Sequence, residues 1–112
     1  MGLDIWFENK EGKEKAYFRK VNFIIKFFED QNYRINNCDS IEINVDDLQE
    51  LKNRCNLVLK QHELGPKLLP TCSGFFFGNT EYNDDYFRDV QDVVDWLESE
   101  DNLQDTYLYI WY

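Results

Sequence analysis

Residues that bind metals or form disulfides are scarce in this chain. Its 112 residues include one histidine and three cysteines, and Cys38, Cys55 and Cys72 are separated by wide intervals. An odd number of widely spaced cysteines argues against a disulfide framework and for a reducing compartment. The chain also lacks the closely spaced cysteine pair that zinc sites use. We therefore expect three free thiols, no metal site, no cofactor and a cytoplasmic location.

Long apolar runs are missing as well. No stretch approaches the roughly 18 apolar residues of a membrane span, and the opening MGLDIWFENKEGK lacks the apolar middle of a secretory signal. A hydrophobic fraction of 43%, with 17% aromatic residues, is too high for a disordered chain. The length suits a single core. We expect one globular domain over residues 1–112 that does not bind a membrane.

Basic residues are almost missing from the last third of the chain. Residues 79–112 carry one of them, Arg88, against ten acidic residues, and the whole chain has a net charge of -10. Proteins that bind nucleic acid present Lys and Arg to the phosphates, so direct nucleic-acid binding is not expected. The charge favours a basic partner surface, because opposite potentials speed encounter. The simpler alternative is that the charge serves only solubility.

Apolar spacing predicts four short strands and three helices. GLDIWFE alternates as a strand does, and SIEINV, GFFFG and TYLYIWY are the other predicted strands. Helical spacing starts at Tyr17, again after Asn44 as a cap, and a third time after Thr80 or Asn83. The order β-α-β-α-(β)-α-β indicates an α+β domain with three helices on one side of a small mixed sheet. The expected core includes Ile5, Ile24, Phe28, Leu51, Val58, Phe76, Val90, Leu97 and Ile110.

The stretch LPTCSGFFFGNTEYNDDYF contains residue types found in several kinds of functional site. A catalytic Cys72 would need a base, and the single histidine, His62, lies ten residues earlier. TCSGF does not match the G-x-S-x-G nucleophile motif. A calcium loop here would have Asp84 where glycine is needed and Val90 where a bidentate glutamate is needed. We therefore predict no catalytic residue, and a strand followed by a polar turn and an acidic helix.

Four stretches, MGLDIWF, AYFRKVNFIIKFF, LPTCSGFFFGNTEYNDDYF and YLYIWY, together resemble a family of small proteins encoded by phages and prophages. The resemblance covers most of the chain in the same order. The family supplies no agreed catalytic residues. What it implies is a phage accessory protein inside a host bacterial cell, a group in which small acidic inhibitors of host defence, including anti-CRISPR proteins, are common.

Two hypotheses follow. The first is a non-enzymatic binding protein that inhibits a host nucleic-acid-handling machine such as a CRISPR effector. Acidic side chains of the third helix would occupy a Lys/Arg groove, and aromatic residues at its rim would act as anchors. The predicted partner-binding residues are Tyr82, Asp84, Asp85, Tyr86, Asp89, Asp92, Asp95, Trp96 and Glu98. The oligomeric state is left open.

The second hypothesis is a small-ligand-binding protein or an enzyme. Arg19 and Asn22 lie three residues apart, a spacing that on a helix would allow them to clamp a carboxylate or phosphate. The site would also include Tyr17 and the turn formed by Cys72, Ser73 and Gly74. The alternative role for such residues is to tie a helix to a neighbouring loop.

Overall fold

The computed structural model describes residues 2–74 and 77–112. The predicted α+β class is confirmed. In chain order the elements are β1 Asp4–Glu8, β2 Glu14–Arg19, α1 Phe23–Asp30, β3 Ser40–Ile43, α2 Val45–Lys60, a 3-10 turn His62–Leu64, α3 Gly65–Leu68, α4 Asp84–Ser99 and β4 Thr106–Trp111.

The four strands form one sheet in the order β2-β1-β4-β3, and all three pairings are antiparallel. The prediction of a mixed sheet is therefore wrong. A tight turn at Gly12, whose φ of 81° suits glycine, joins β1 to β2 and reverses the chain. The C-terminal strand then enters between β1 and β3, antiparallel to both. Apolar periodicity carries no information about strand direction.

β2 occupies part of the segment in which a helix starting at Tyr17 was predicted. Tyr17 instead pairs with Trp6 of β1, and Phe18 pairs with Ile5. Phe18 is buried while the residues on either side of it are exposed, as in a strand with one face on the core. The helical spacing is real but starts later, because α1 begins at Phe23.

Two predicted helix caps are confirmed. The Asn44 side chain accepts a hydrogen bond from the Asp46 amide at the start of α2. Asn83, rather than Thr80, accepts one from the Tyr86 amide at the start of α4. Such bonds satisfy amide groups that have no partner within the helix.

Two short helical turns follow α2. The helix ends at Lys60, and the 3-10 turn His62–Leu64 comes next. Pro66 lies in the first turn of the short helix α3, where its missing N–H costs nothing.

The core lies between one face of the sheet and the helices. All the predicted core residues within the described ranges are buried, and Phe76 lies outside those ranges. Part of the predicted GFFFG strand also lies outside them, and its described residues, Gly74, Phe77 and Gly78, are not in a strand.

Burial alternates along β1 and β4, so their even and odd residues lie on opposite faces of the sheet. Ile5, Phe7, Leu108 and Ile110 are buried beneath the helices. None of the described helices covers the other face. Across residues 2–74 and 77–112, no helix is both long enough and apolar enough to cross a bilayer.

Candidate interaction surface on helix α4

Helix α4 separates an apolar side from an acidic side. Each residue turns the helix by about 100°, which places Tyr86, Val90, Val93 and Leu97 along one side, and all four are buried. The carboxylates occupy the remaining arc, and all are exposed except Asp89, which is half-buried. We call this arc the acidic face: Asp84, Asp85, Asp89, Asp92, Asp95 and Glu98.

The acidic face has little internal charge compensation. Arg88 lies within the arc and its Nη1 is 3.0 Å from Asp85 Oδ1, but the two side chains are 69% and 76% exposed. Pairs this exposed contribute little to stability. Among the described residues no other carboxylate of α4 forms an ion pair, although Gln91 donates a hydrogen bond to Asp95 at 2.8 Å.

Asp89 is the most perturbed member of the acidic face. Burial raises the pKa of its carboxyl group to about 6, and Asp92 and Asp85 add to the shift while Arg88 opposes it. Ionising Asp89 therefore costs more free energy in the folded protein than in the unfolded chain. A cation brought to this face by a partner would offset the repulsion between Asp89 and the neighbouring carboxylates of Asp85 and Asp92.

Of the predicted aromatic rim, Tyr86 is buried, whereas Tyr82 and Trp96 are half-buried. Tyr86 is 5% exposed, and its hydroxyl donates to the Leu69 carbonyl at 2.8 Å. Tyr82 is half-buried and its hydroxyl accepts a hydrogen bond from the Thr71 amide. Trp96 is half-buried and stacks on Phe7 with ring centroids 4.6 Å apart. Tyr86 follows the same i, i+4 spacing as Val90, a signal that would have placed it in the core.

Asn22 has a structural role. Its side-chain amide donates to the carbonyls of Phe77 and Asn79, each at 3.0 Å, and its oxygen accepts from the Cys72 amide at 3.2 Å. These bonds tie the start of α1 to the loop before α4, which is the alternative that the second hypothesis left open. Asn22 has no amide hydrogen left for a ligand.

The residues of the second hypothesis do not line one cavity, although Tyr17 and Arg19 both contact Asp4. A cavity of about 170 Å³ is lined by Arg19, Lys20 and Asn22 with Asp85 and Asp89, but not by Tyr17 or by the turn at residues 72–74. Ligand pockets are usually about 300–1,000 Å³. Within the described ranges no buried side-chain polar atom lacks a hydrogen-bond partner, so none is left free to receive a ligand.

Cysteine and histidine chemistry is not assembled either. Burial and Glu29 raise the pKa of the Cys72 thiol, and the thiol donates to the Asn22 carbonyl at 3.3 Å. A nucleophilic cysteine needs the opposite shift. His62 stacks on Phe87, with ring centroids 3.8 Å apart. The structure holds all three cysteines as free thiols, and in the described part of the chain no group of acidic, cysteine and histidine side chains is arranged to hold a metal.

The sequence-based prediction missed the uncovered face of the sheet, which carries aromatic rings. Tyr17, Trp6 and Tyr109 form a row across three strands, with centroid distances of 5.3 and 5.7 Å. In GLDIWFE, Trp6 alternates with the apolar Ile5 and Phe7, which places it with Asp4 on the polar side of the strand. That position was the available signal, because an aromatic residue there faces solvent.

Comparison of the chain with protein-family models, with curated proteins and with solved structures found no match.

Proposed function

We propose that this chain is a non-enzymatic binding protein that places the acidic face of α4 on a basic surface of a partner protein. The observation that carries the proposal is the arrangement of the carboxylates. They lie on the solvent side of one helix, and just one of them has an ion-pair partner among the described residues. A surface of this kind complements the Lys/Arg groove that receives phosphates in a nucleic-acid-binding protein.

The resemblance to small phage proteins makes a host nucleic-acid-handling defence machine, such as a CRISPR effector, the first partner to test. On this proposal the protein acts in the cytoplasm of the host bacterium and inhibits the machine by occupying its basic groove. The binding residues are then the carboxylates of the acidic face. Tyr86 supports the helix from below because it is buried, whereas Tyr82 and Trp96 are half-buried and keep part of their surface for the partner.

The test compares tagged wild-type protein with the triple variant Asp85→Asn, Asp89→Asn, Asp92→Asn as baits in host lysate. We expect wild type to capture a basic nucleic-acid-binding protein at about 50 mM salt and to release it at about 500 mM, because salt screens exposed charges. The triple variant should capture much less of it. Its folding should be intact, since none of the three side chains belongs to the core.

The matched control is the triple variant Glu11→Gln, Glu29→Gln, Glu63→Gln. It removes the same charge from exposed positions outside α4 and outside the sheet's uncovered face. This variant should capture the partner as wild type does. If the two triple variants lose capture equally, net charge alone explains binding and the acidic face has no special role.

A further inference from the structure

We propose that the uncovered face of the sheet is a second interaction surface, and that it binds an arginine-containing segment of a partner protein. This proposal does not depend on the function proposed for α4, because the surface is formed by different residues on the sheet. We call this surface the open face, and it consists of Asp4, Trp6, Glu8, Glu14, Tyr17, Arg19, Ser40, Glu42, Tyr107, Tyr109 and Trp111.

The aromatic rings of the open face adjoin one another, and Trp6, Tyr107 and Tyr109 are half-buried while the outer two are exposed. Tyr17 is 42% exposed and Trp111 is 55% exposed. The central row Tyr17–Trp6–Tyr109 crosses β2, β1 and β4, and Tyr107 and Trp111 flank Tyr109 along β4. The solvent-facing side of an antiparallel sheet usually carries polar side chains, whereas this one carries the rings of tyrosine and tryptophan.

Carboxylates border the rings on both sides. Asp4 pairs with Trp111 at one end of the face, while Glu8 and Glu42 flank Tyr107 at the other. Arg19 is the basic residue of this region, and its Nη1 lies 3.8 Å from Asp4 Oδ1. The surface therefore combines ring faces, which attract cations, with carboxylates, which pair with them.

Arginine fits this combination best. Its planar guanidinium stacks on aromatic rings and also makes bidentate bonds to carboxylates, which the compact lysine ammonium does not. The position of Arg19 beside Asp4 shows that a guanidinium reaches this carboxylate. A partner segment with two or three arginines would place them over the Tyr17–Trp6–Tyr109 row and against Glu8 and Glu42.

Other occupants fit less well. Two copies joined through this face would bring Asp4, Glu8 and Glu42 of each against those of the other, in a chain with a net charge of -10. Single-stranded nucleic acid stacks on aromatic platforms, but such platforms lie in positively charged grooves. Anionic lipid surfaces recruit Lys/Arg clusters rather than carboxylates.

The experiment titrates isotope-labelled protein with hexa-arginine and, separately, hexa-lysine, and follows amide and indole signals by NMR. The background is the Asp85→Asn, Asp89→Asn, Asp92→Asn variant, which weakens charge-driven binding at α4. We expect hexa-arginine to shift the signals of β1 and β4 and the Trp6 indole. Hexa-lysine, which has the same charge, should bind this face several-fold more weakly.

The variant Trp6→Val, Tyr109→Thr should weaken hexa-arginine binding by about tenfold, since it removes two ring faces and no charge. Valine and threonine suit strands, and a dispersed amide spectrum checks the fold. Trp111→Thr, at a more exposed strand-end position, is the second variant and should weaken binding by a smaller factor. The proposal is overturned if hexa-arginine shifts only α4 signals or if both peptides bind the sheet equally. It is also overturned if an oligothymidine shifts these signals, or if the protein dimerises through this face.

Discussion

At the scale of single residues, Asp89 is the side chain whose ionisation opposes folding. Its pKa, raised to about 6 by burial and by Asp92 and Asp85, exceeds that of the unfolded chain. The folded state therefore binds more protons than the unfolded state between about pH 4 and pH 6, and the stability contribution falls as pH rises through this window. Above about pH 6 the full free-energy cost of ionising Asp89 in the folded state is present.

We predict that Asp89→Asn increases the free energy of unfolding at pH 7 by about 1 kcal/mol, a value reduced from the full pKa shift because solvent screens a half-exposed group. The gain should vanish at about pH 4, where wild-type Asp89 is protonated. Urea unfolding of both proteins at the two pH values measures this. Both proteins keep Arg19 and Lys20, which line the cavity beside Asp89, so the comparison changes the charge of residue 89 alone.

The control for this prediction is Asp95→Asn, on the exposed part of the same helix. It should change the free energy of unfolding by less than about 0.5 kcal/mol at either pH. An equal gain from both variants would show that repulsion along the helix, not the burial of Asp89, sets the cost. A gain from Asp89→Asn that persists at the lower pH would show that the ionisation of Asp89 is not its cause.

At the scale of elements, the two long helices were predictable and the hairpin was not. Asn44 and Asn83 precede clear 3.6-residue apolar repeats, and a cap followed by such a repeat defines a helix locally. The segment around Tyr17 and Phe18 has apolar residues that fit a helix or a strand. Pairing with β1, a contact that local spacing does not encode, decides for the strand.

The candidate site was predictable in the same uneven way. Its carboxylates follow from the helical arc opposite Val90 and Leu97, and the structure places them there. Their aromatic neighbours did not follow, because whether Trp96 faces solvent depends on Phe7 of the sheet, against which it stacks. The strand order, and therefore the composition of the open face, depends on pairing between distant segments, which local sequence patterns do not encode.

The start of α4 provides a prediction at this scale. Asn83→Ala removes the side-chain oxygen that accepts from the Tyr86 amide, and should lower the free energy of unfolding by about 1 kcal/mol. Thr80→Ala is the control, because no hydrogen bond to α4 from that side chain is present. Thermal unfolding followed by circular dichroism compares them. A larger loss of stability from Thr80→Ala than from Asn83→Ala would show that Asn83 is not the cap of α4.

At the scale of the whole molecule, the fold separates the two proposed surfaces. The chain measures 38 × 31 × 22 Å, and the short dimension corresponds to one sheet and one layer of helices. Trp96 joins α4 to the covered side of the sheet through Phe7. The acidic face and the open face therefore belong to different layers, and Arg19, which lies beside Asp4 and lines a cavity with Asp85 and Asp89, marks where they approach each other.

The central claim is that charge placement on α4, and not total charge, drives partner binding. The most direct measurement is the association rate constant with the captured partner as a function of salt, for wild type and the two triple variants. We predict that Asp85→Asn, Asp89→Asn, Asp92→Asn slows association by about tenfold at low salt and flattens its salt dependence. The Glu11→Gln, Glu29→Gln, Glu63→Gln variant should stay close to wild type. Equal slowing by both variants, or wild-type rates for the α4 variant, would contradict the claim.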